Sequence, residues 1–238
     1  MKISIIGLGW YGEALARALL LNGHQVMGTT RTEAKKTVLQ GLGIETHLLS
    51  FPHPPSEALL NSDVIILNIP PFEGELEWFM KWNWSPESWV IFISSTALYP
   101  KAESKNALLL MEQEEWVKKS FANWSILRFG GLIGGGRHPG KSLSGRKDLP
   151  GRLWPVNLIH QKDAIGFTLT VLTKRLQNKT FLVVSNEHPL REEFYRDYCS
   201  GKGLPLPEFD QEDRSLGKIV PSHEMGQFYS SFHPLTDE

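Results

Sequence analysis

The opening stretch KISIIGLGWYGEALARALLLNGHQVMGTT restricts the fold more than any other part of the chain. Residues 3–6 are a short, largely apolar run of strand length, with Ser4 its one polar member. Gly7-Leu8-Gly9-Trp10-Tyr11-Gly12 follows, and then Ala14, Leu15, Ala18 and Leu19 recur on one helical stripe up to the stop at Gly23. A second strand-like run begins at Gln25. Two short apolar strands joined through a glycine turn and an amphipathic helix form a βαβ unit, in which the strands run parallel.

The alternation continues. Residues 44–49, 64–67, 89–93, 125–129 and 181–184 read as strands, and 33–40, 102–120 and 191–199 as helices. Most of the strand runs are apolar throughout, as strands covered on both faces should be. The expected fold is therefore α/β: a doubly wound parallel sheet of Rossmann type, with ligands at the carboxyl ends of the strands. Between residues 130 and 155 the pattern gives way to glycine, proline and basic residues, and the region after Pro189 is mixed. The expectation is one domain over 1–238, with 130–160 and 189–238 contributing a small discontinuous C-terminal cap on the substrate side.

Composition bounds the partners. A formal net charge of −1 gives no reason to expect nucleic acid or an anionic membrane, and no apolar run reaches membrane-spanning length. Glycines and charges in the first helix make the N-terminus read as mature chain rather than a leader. The lone Cys199 excludes an internal disulfide framework and fits a reducing cytoplasm. Eight histidines without ligand spacing give no metal expectation.

The glycine loop has a chemical reading. Gly7 permits the turn, Gly9 lets a pyrophosphate approach the backbone, and Gly12 lets helix and strand pack. The N–H groups at the helix start then face the phosphates, with Trp10 and Tyr11 in the same contact. After the second strand, where a carboxylate would hold an unphosphorylated ribose, the chain has Thr29-Thr30-Arg31. A guanidinium pairs with a 2′-phosphate and a carboxylate repels it, so NADP(H) is expected over NAD(H). Asn68, Ile69 and Pro70, after the fourth strand, should border the same cofactor.

VIFISSTALYP places Ser94, Ser95, Thr96 and Tyr99 past the end of the fifth apolar run. This stretch resembles the S-S-x-x-V-Y-G segment of the extended short-chain dehydrogenases, the NAD(P)-dependent epimerase/dehydratase family. WSILRFGGLIGGGRHPG is similar to that family's sixth strand and the loop after it. Ile159, His160, Asp163 and Ala164 are similar to its I-H-x-x-D-x-A segment. The resemblance covers about residues 1–185, and is strongest to a small atypical branch.

The resemblance implies a nicotinamide enzyme working with serine, tyrosine and lysine. Ser95 falls on the serine position and Ser94 beside the cofactor. The tyrosine and lysine of Y-x-x-x-K fall on Ser104 and Leu108, and that motif occurs nowhere in the chain. Tyr99 is the candidate substitute acid/base, with Lys101, Lys105 or Arg128 as the cation it would need; the other reading has it packing on the nicotinamide or ribose without chemistry. Arg137, Lys141 and Arg146 lie where the family binds substrate and suit a phosphate or carboxylate. Two functions stay open: an NADP(H)-dependent oxidoreductase or epimerase-like enzyme on a small-molecule substrate, or an NADP(H)-binding sensor without turnover. Glu112, Glu114 and Glu115 read as a solvated helix face. Trp78, Trp82, Trp84 and Trp89 suit packing or a dimer surface, which leaves a homodimer open.

Overall fold

The computed structural model describes residues 1–236. In chain order the elements are β1 (Lys2–Ile6), α1 (Trp10–Leu21), β2 (Gln25–Thr30), α2 (Glu33–Gly41), β3 (Glu45–Leu48), α3 (Glu57–Leu60), β4 (Val64–Leu67), α4 (Glu75–Phe79), β5 (Trp89–Ser95), α5 (Lys105–Ser120) and β6 (Asn123–Phe129). They continue with β7 (Gly131–Ile133), α6 (Gly140–Leu143), β8 (Leu158–His160), α7 (Gln161–Thr173), β9 (Lys179–Val183), α8 (Arg191–Gly201) and α9 (His223–Gly226). Seven strands form one sheet in the order β3-β2-β1-β4-β5-β6-β9. The pairs from β3 through β5 are all parallel. The chain winds outward from β1 on one side and from β4 on the other. The crevice past their carboxyl ends is thus the topological switch point, where ligands bind in open sheets of this kind.

The described residues fall into two compact units. One comprises Met1–Arg128 with Thr168–Phe181, the other Phe129–Phe167 with the chain from Leu182 onward. In the first unit all four residues of β4 are buried, as expected of a strand covered on both faces. Ile6, Leu67, Phe79, Trp82, Phe92 and Val117 belong to its core. Phe51 stacks on Trp78 at 5.0 Å and on Trp82 at 5.6 Å, and Trp84 meets Phe121 edge-on at 5.8 Å. These tryptophans serve packing. The second unit has its own core of Ile133, Val156, Leu158, Phe194, Tyr195, Phe209 and Leu235, with β7 and β8 paired as a small parallel sheet.

Element boundaries depart from the sequence reading where polar residues take up hydrogen bonds that periodicity cannot register. The helix expected from 102 starts at Lys105, because the Ser104 hydroxyl accepts the Ala107 N–H at 3.2 Å and caps it. β6 starts at Asn123 rather than 125, and β9 spans Lys179–Val183 rather than 181–184. Between these two strands, Asn178 N–H donates to the Trp124 carbonyl. β3 shortens to Glu45–Leu48. α7 was not anticipated: Gly166 and five β-branched residues lower its intrinsic propensity. Burial of Ala164, Phe167 and Val171 on one stripe overrides that cost.

Candidate functional site

A cavity of about 590 Å³ opens in the first unit at the carboxyl ends of β1, β2 and β4. Gly7, Leu8 and Gly9 form one end of it, Thr30, Arg31, Thr32 and Lys35 another, and Leu49, Phe51 and Asn68–Phe72 the remaining wall. The glycine turn is fixed from both sides. Gly7 N–H donates to Thr29 Oγ1 at 3.0 Å, and Asn68 Nδ2 donates to the Gly7 carbonyl at 2.8 Å. Gly7 has φ +108°, and a Cβ there would lie 2.2 Å from the Asn68 oxygen. A Cβ built on Gly9 meets nothing within 4 Å. The space in front of Gly9 is open, so a phosphate could reach the backbone and the positive end of α1 there.

At the other end, Thr32 caps α2 by accepting Lys35 N–H at 3.4 Å. This first turn turns Lys35 toward the cavity beside Arg31. The Arg31 side chain is exposed and joins no ion pair among the described residues. Lys35 lies 3.4 Å from Glu13, which Arg17 also reaches at 2.7 Å. The Arg17 hydrogen bond holds the Glu13 carboxyl below its usual range, Lys35 adds to this, and burial opposes both. Lys35 escaped the sequence reading, although its spacing of four from Arg31 at a helix start was a usable signal.

Of the residues expected at the cofactor, Gly7, Gly9, Thr30, Arg31, Asn68, Ile69 and Pro70 line this cavity; Trp10, Tyr11, Gly12 and Ser94 are not in its lining. Trp10 opens α1, half-buried. Gly12 packs on the turn, where a Cβ would lie 2.3 Å from the Gly7 oxygen. Tyr11 is buried with its hydroxyl 2.7 Å from Thr168 Oγ1, and burial pushes the phenol well above its usual range. Ser94 is buried and donates to Glu114 Oε1 at 2.6 Å. Arg128 grips the same carboxylate with Nε at 2.9 Å and Nη2 at 2.7 Å. Glu112 and Glu115 are exposed, but Glu114 is buried, which corrects the expectation of a solvated face. Ala107, Leu110, Gln113, Glu114 and Val117 form the buried stripe of α5, so helical periodicity did point inward through Glu114.

Ser95 ends β5, and its Oγ accepts Ala97 N–H at 3.1 Å, which leaves the hydroxyl proton to donate elsewhere. Tyr99 is half-buried, and its backbone N–H bonds to the Thr96 carbonyl. Its phenol makes no hydrogen bond among the described residues. Of the three cations considered for it, Lys105 is committed to Glu73 at 2.7 Å and Arg128 to Glu114. Lys101 is exposed and joins no ion pair among the described residues.

In the second unit, Arg137, Lys141 and Arg146 are all exposed. Lys141 donates to the Gly136 carbonyl at 2.9 Å, and the Gly134 and Arg137 backbones exchange hydrogen bonds. The fold also joins His160, Asp163 and His233, a set hidden from spacing because seventy residues separate its last two members. Asp163 is fully buried. Its Oδ1 faces His233 Nδ1 at 2.5 Å and Tyr229 Oη at 3.0 Å, and its Oδ2 accepts His233 N–H at 2.9 Å. His160 Nδ1 accepts Lys162 N–H at 3.2 Å, and the two imidazoles stack at 5.1 Å. The carboxylate oxygens and His160 Nδ1 already accept hydrogen bonds, so the set is a clasp on the later segment. Burial and the Asp163 charge both push the Tyr229 phenol well above its usual range.

Comparison with known proteins agrees with this geometry. The family described as NADP oxidoreductase, coenzyme F420-dependent, matches residues 2–75, the segment from β1 to the start of α4. Protein YeeZ of Escherichia coli (strain K12) is 28% identical over 268 residues, covering 98% of this chain and 97% of YeeZ. A functionally unknown conserved protein from Silicibacter pomeroyi DSS has a similar structure, with a TM-score of 0.77 and 17% identity over 95% of this chain and 91% of that one. A nucleoside-diphosphate-sugar epimerase from Pseudomonas aeruginosa gives a TM-score of 0.75 and 14% identity over 99% and 94%. The chain therefore carries the NAD(P)-binding Rossmann fold, is related over its length to YeeZ, and shares its fold with the extended short-chain dehydrogenase epimerases.

Proposed function

We propose that this protein is an NADP(H)-binding oxidoreductase or epimerase-like enzyme. It acts on a hydroxyl or carbonyl carbon of a small, anionic or sugar-like substrate. The observation that carries the reading is the cavity with an open glycine cradle at one end and Arg31 beside Lys35 at the other. The donor set suits a phosphorylated dinucleotide: backbone N–H groups and a helix start for the pyrophosphate, then two hydroxyls, a guanidinium and an ammonium for the 2′-phosphate. When bound, such a cofactor supplies or accepts hydride at its nicotinamide carbon.

The chain's own residues take the remaining roles. Gly7 and Gly9 shape the cradle, with Trp10, Tyr11 and Gly12 holding the start of α1 behind it. Asn68, Ile69 and Pro70 border the cofactor, and Ser94 anchors the end of β5 through Glu114. Ser95 directs its free proton at the substrate oxygen, and Tyr99 carries the proton that oxygen gains or loses. Arg137, Lys141 and Arg146 attract an anionic substrate. The single buried cysteine suits a reducing compartment.

A second reading, an NADP(H)-binding sensor without turnover, draws on one observation. Ser104 and Leu108 stand where a tyrosine–lysine pair would act, and the replacement cations Lys105 and Arg128 are engaged elsewhere. Titration with both coenzymes tests the shared premise. NADPH should bind about tenfold or more tightly than NADH, since one charge-assisted hydrogen bond is worth about 1.5–3 kcal/mol. Arg31→Ala should erase the difference, and equal affinities in the native protein would remove the case for NADP(H). Loss of NADPH absorbance with a panel of carbonyl compounds then separates enzyme from sensor.

A further inference from the structure

The cavity wall formed by residues 68–72 is fastened from behind by one acid. Glu75 begins α4, following Gly74, whose φ of +84° folds the chain back on itself. Its side chain is buried. Glu75 Oε2 accepts Phe72 N–H at 3.3 Å and Gln113 Nε2 at 2.6 Å, so one carboxyl joins the wall to α5. Phe72 lines the cavity and packs against Phe51 at 4.9 Å and Trp78 at 5.5 Å.

The charged groups around this acid are occupied or turned away. From α5 the Gln113 amide donates to it, while Glu114 is engaged by Arg128 and Ser94. On its own segment, Glu73 pairs with Lys105 at the surface, and Glu77 is exposed. Among the described residues no cation bonds to it, and burial pushes the Glu75 carboxyl up to about 7. Both accepted hydrogen bonds favour the ionised carboxylate, but burial outweighs them, and the neutral group holds both bonds without placing a charge in the core. Once ionised, it places a charge in an apolar setting, and rotation toward water relieves that charge at the expense of both bonds, which frees the Phe72 N–H.

We propose that Glu75 is a proton-operated fastener on the cavity wall: neutral, it holds residues 68–72 in the shape that receives a dinucleotide, and ionised, it lets them loosen. The ligand half of this statement rests on the reading of the cavity given above. Among the described residues no histidine, cysteine or carboxylate lines the cavity, so no competing titration arises in the wall itself.

NADH is the probe, because it has no group titrating between pH 6 and 8. Its dissociation constant should rise about tenfold from pH 6 to pH 8, as the neutral fraction of a group titrating near 7 falls by that factor. Glu75→Gln, which is neutral at every pH and keeps the acceptor oxygen, should bind with the acid-side affinity throughout. The ligand-free protein provides an independent readout, since Trp78 and Trp82 stack on Phe51, which touches Phe72. Tryptophan emission should show a step near pH 7 that is absent in Glu75→Gln. A wild-type protein without that step, or a variant that retains it, overturns the fastener. A step present in the wild type and absent in Glu75→Gln, with no NADH or NADPH bound at any pH, supports the fastener and refutes the dinucleotide reading instead.

Discussion

Gly7 and Gly9 sit two residues apart in one motif and should fail in opposite ways. Gly7 combines φ +108° with a backbone oxygen 2.2 Å from any added Cβ, so Gly7→Ala must displace the end of β4. It should lower stability by about 2–3 kcal/mol, read as a fall in thermal midpoint. Gly9→Ala meets nothing within 4 Å and should melt like the wild type, yet lose dinucleotide affinity because its methyl group occupies the phosphate's approach. If both variants simply unfold, the division between structural and binding glycines is wrong. The motif itself was legible in the sequence, since it states local geometry. Lys35 was less legible, because its approach to the cavity depends on the α2 cap at Thr32 and on Glu13 from another helix. Tyr11 could not be assigned a buried hydroxyl bond to Thr168, 157 residues away.

At the scale of elements, β4 announced itself because a strand buried on both faces is uniformly apolar, and β1 and β2 did so through the glycine turn and helix between them. α7 did not, because its helix depends on burial rather than propensity. α5 is a mixed case: the stripe was visible, but Glu114 within it reads as surface until Arg128 and Ser94 arrive from neighbouring strands. Removing the α5 cap with Ser104→Ala should cost about 1 kcal/mol, measurable by chemical denaturation. The tie between α4 and α5 gives the fold a pH dependence of known sign. Glu75 is held near 7 when folded and returns to about 4.5 when unfolded, so the unfolded chain loses its proton first as pH rises. Stability therefore falls between about pH 4.5 and 7 and then levels off. Glu75→Gln should flatten that decline and be the more stable protein at pH 8. Identical pH profiles of melting for the two proteins would contradict the assignment.

Across the whole molecule, the first unit was readable from its alternating pattern, whereas the second draws its order from residues far apart in the chain. Leu235 reaches a core that includes Ile133 and Phe194, and Met225 and Val220 are also buried in the segment that read as polar and unpatterned. Gly166 leaves room for Tyr229, whose ring atoms would lie 2.7 Å from a Cβ there. Deleting the chain from Ser222 onward removes all three donors to the buried Asp163 carboxylate. Hydrogen exchange should then rise through the second unit while β1 and β4 stay protected. Uniform loss of protection would mean that the two units share one unfolding transition.

The Asp163 clasp also constrains how the polypeptide is born. A carboxylate placed at the start of α7 depends on partners translated some seventy residues later. Throughout that interval on the ribosome, the nascent second unit carries an acid whose eventual hydrogen-bond donors have not yet been made. Its final structure is thus set only after the clasp residues emerge, which leaves this stretch open to chaperones and proteases until then.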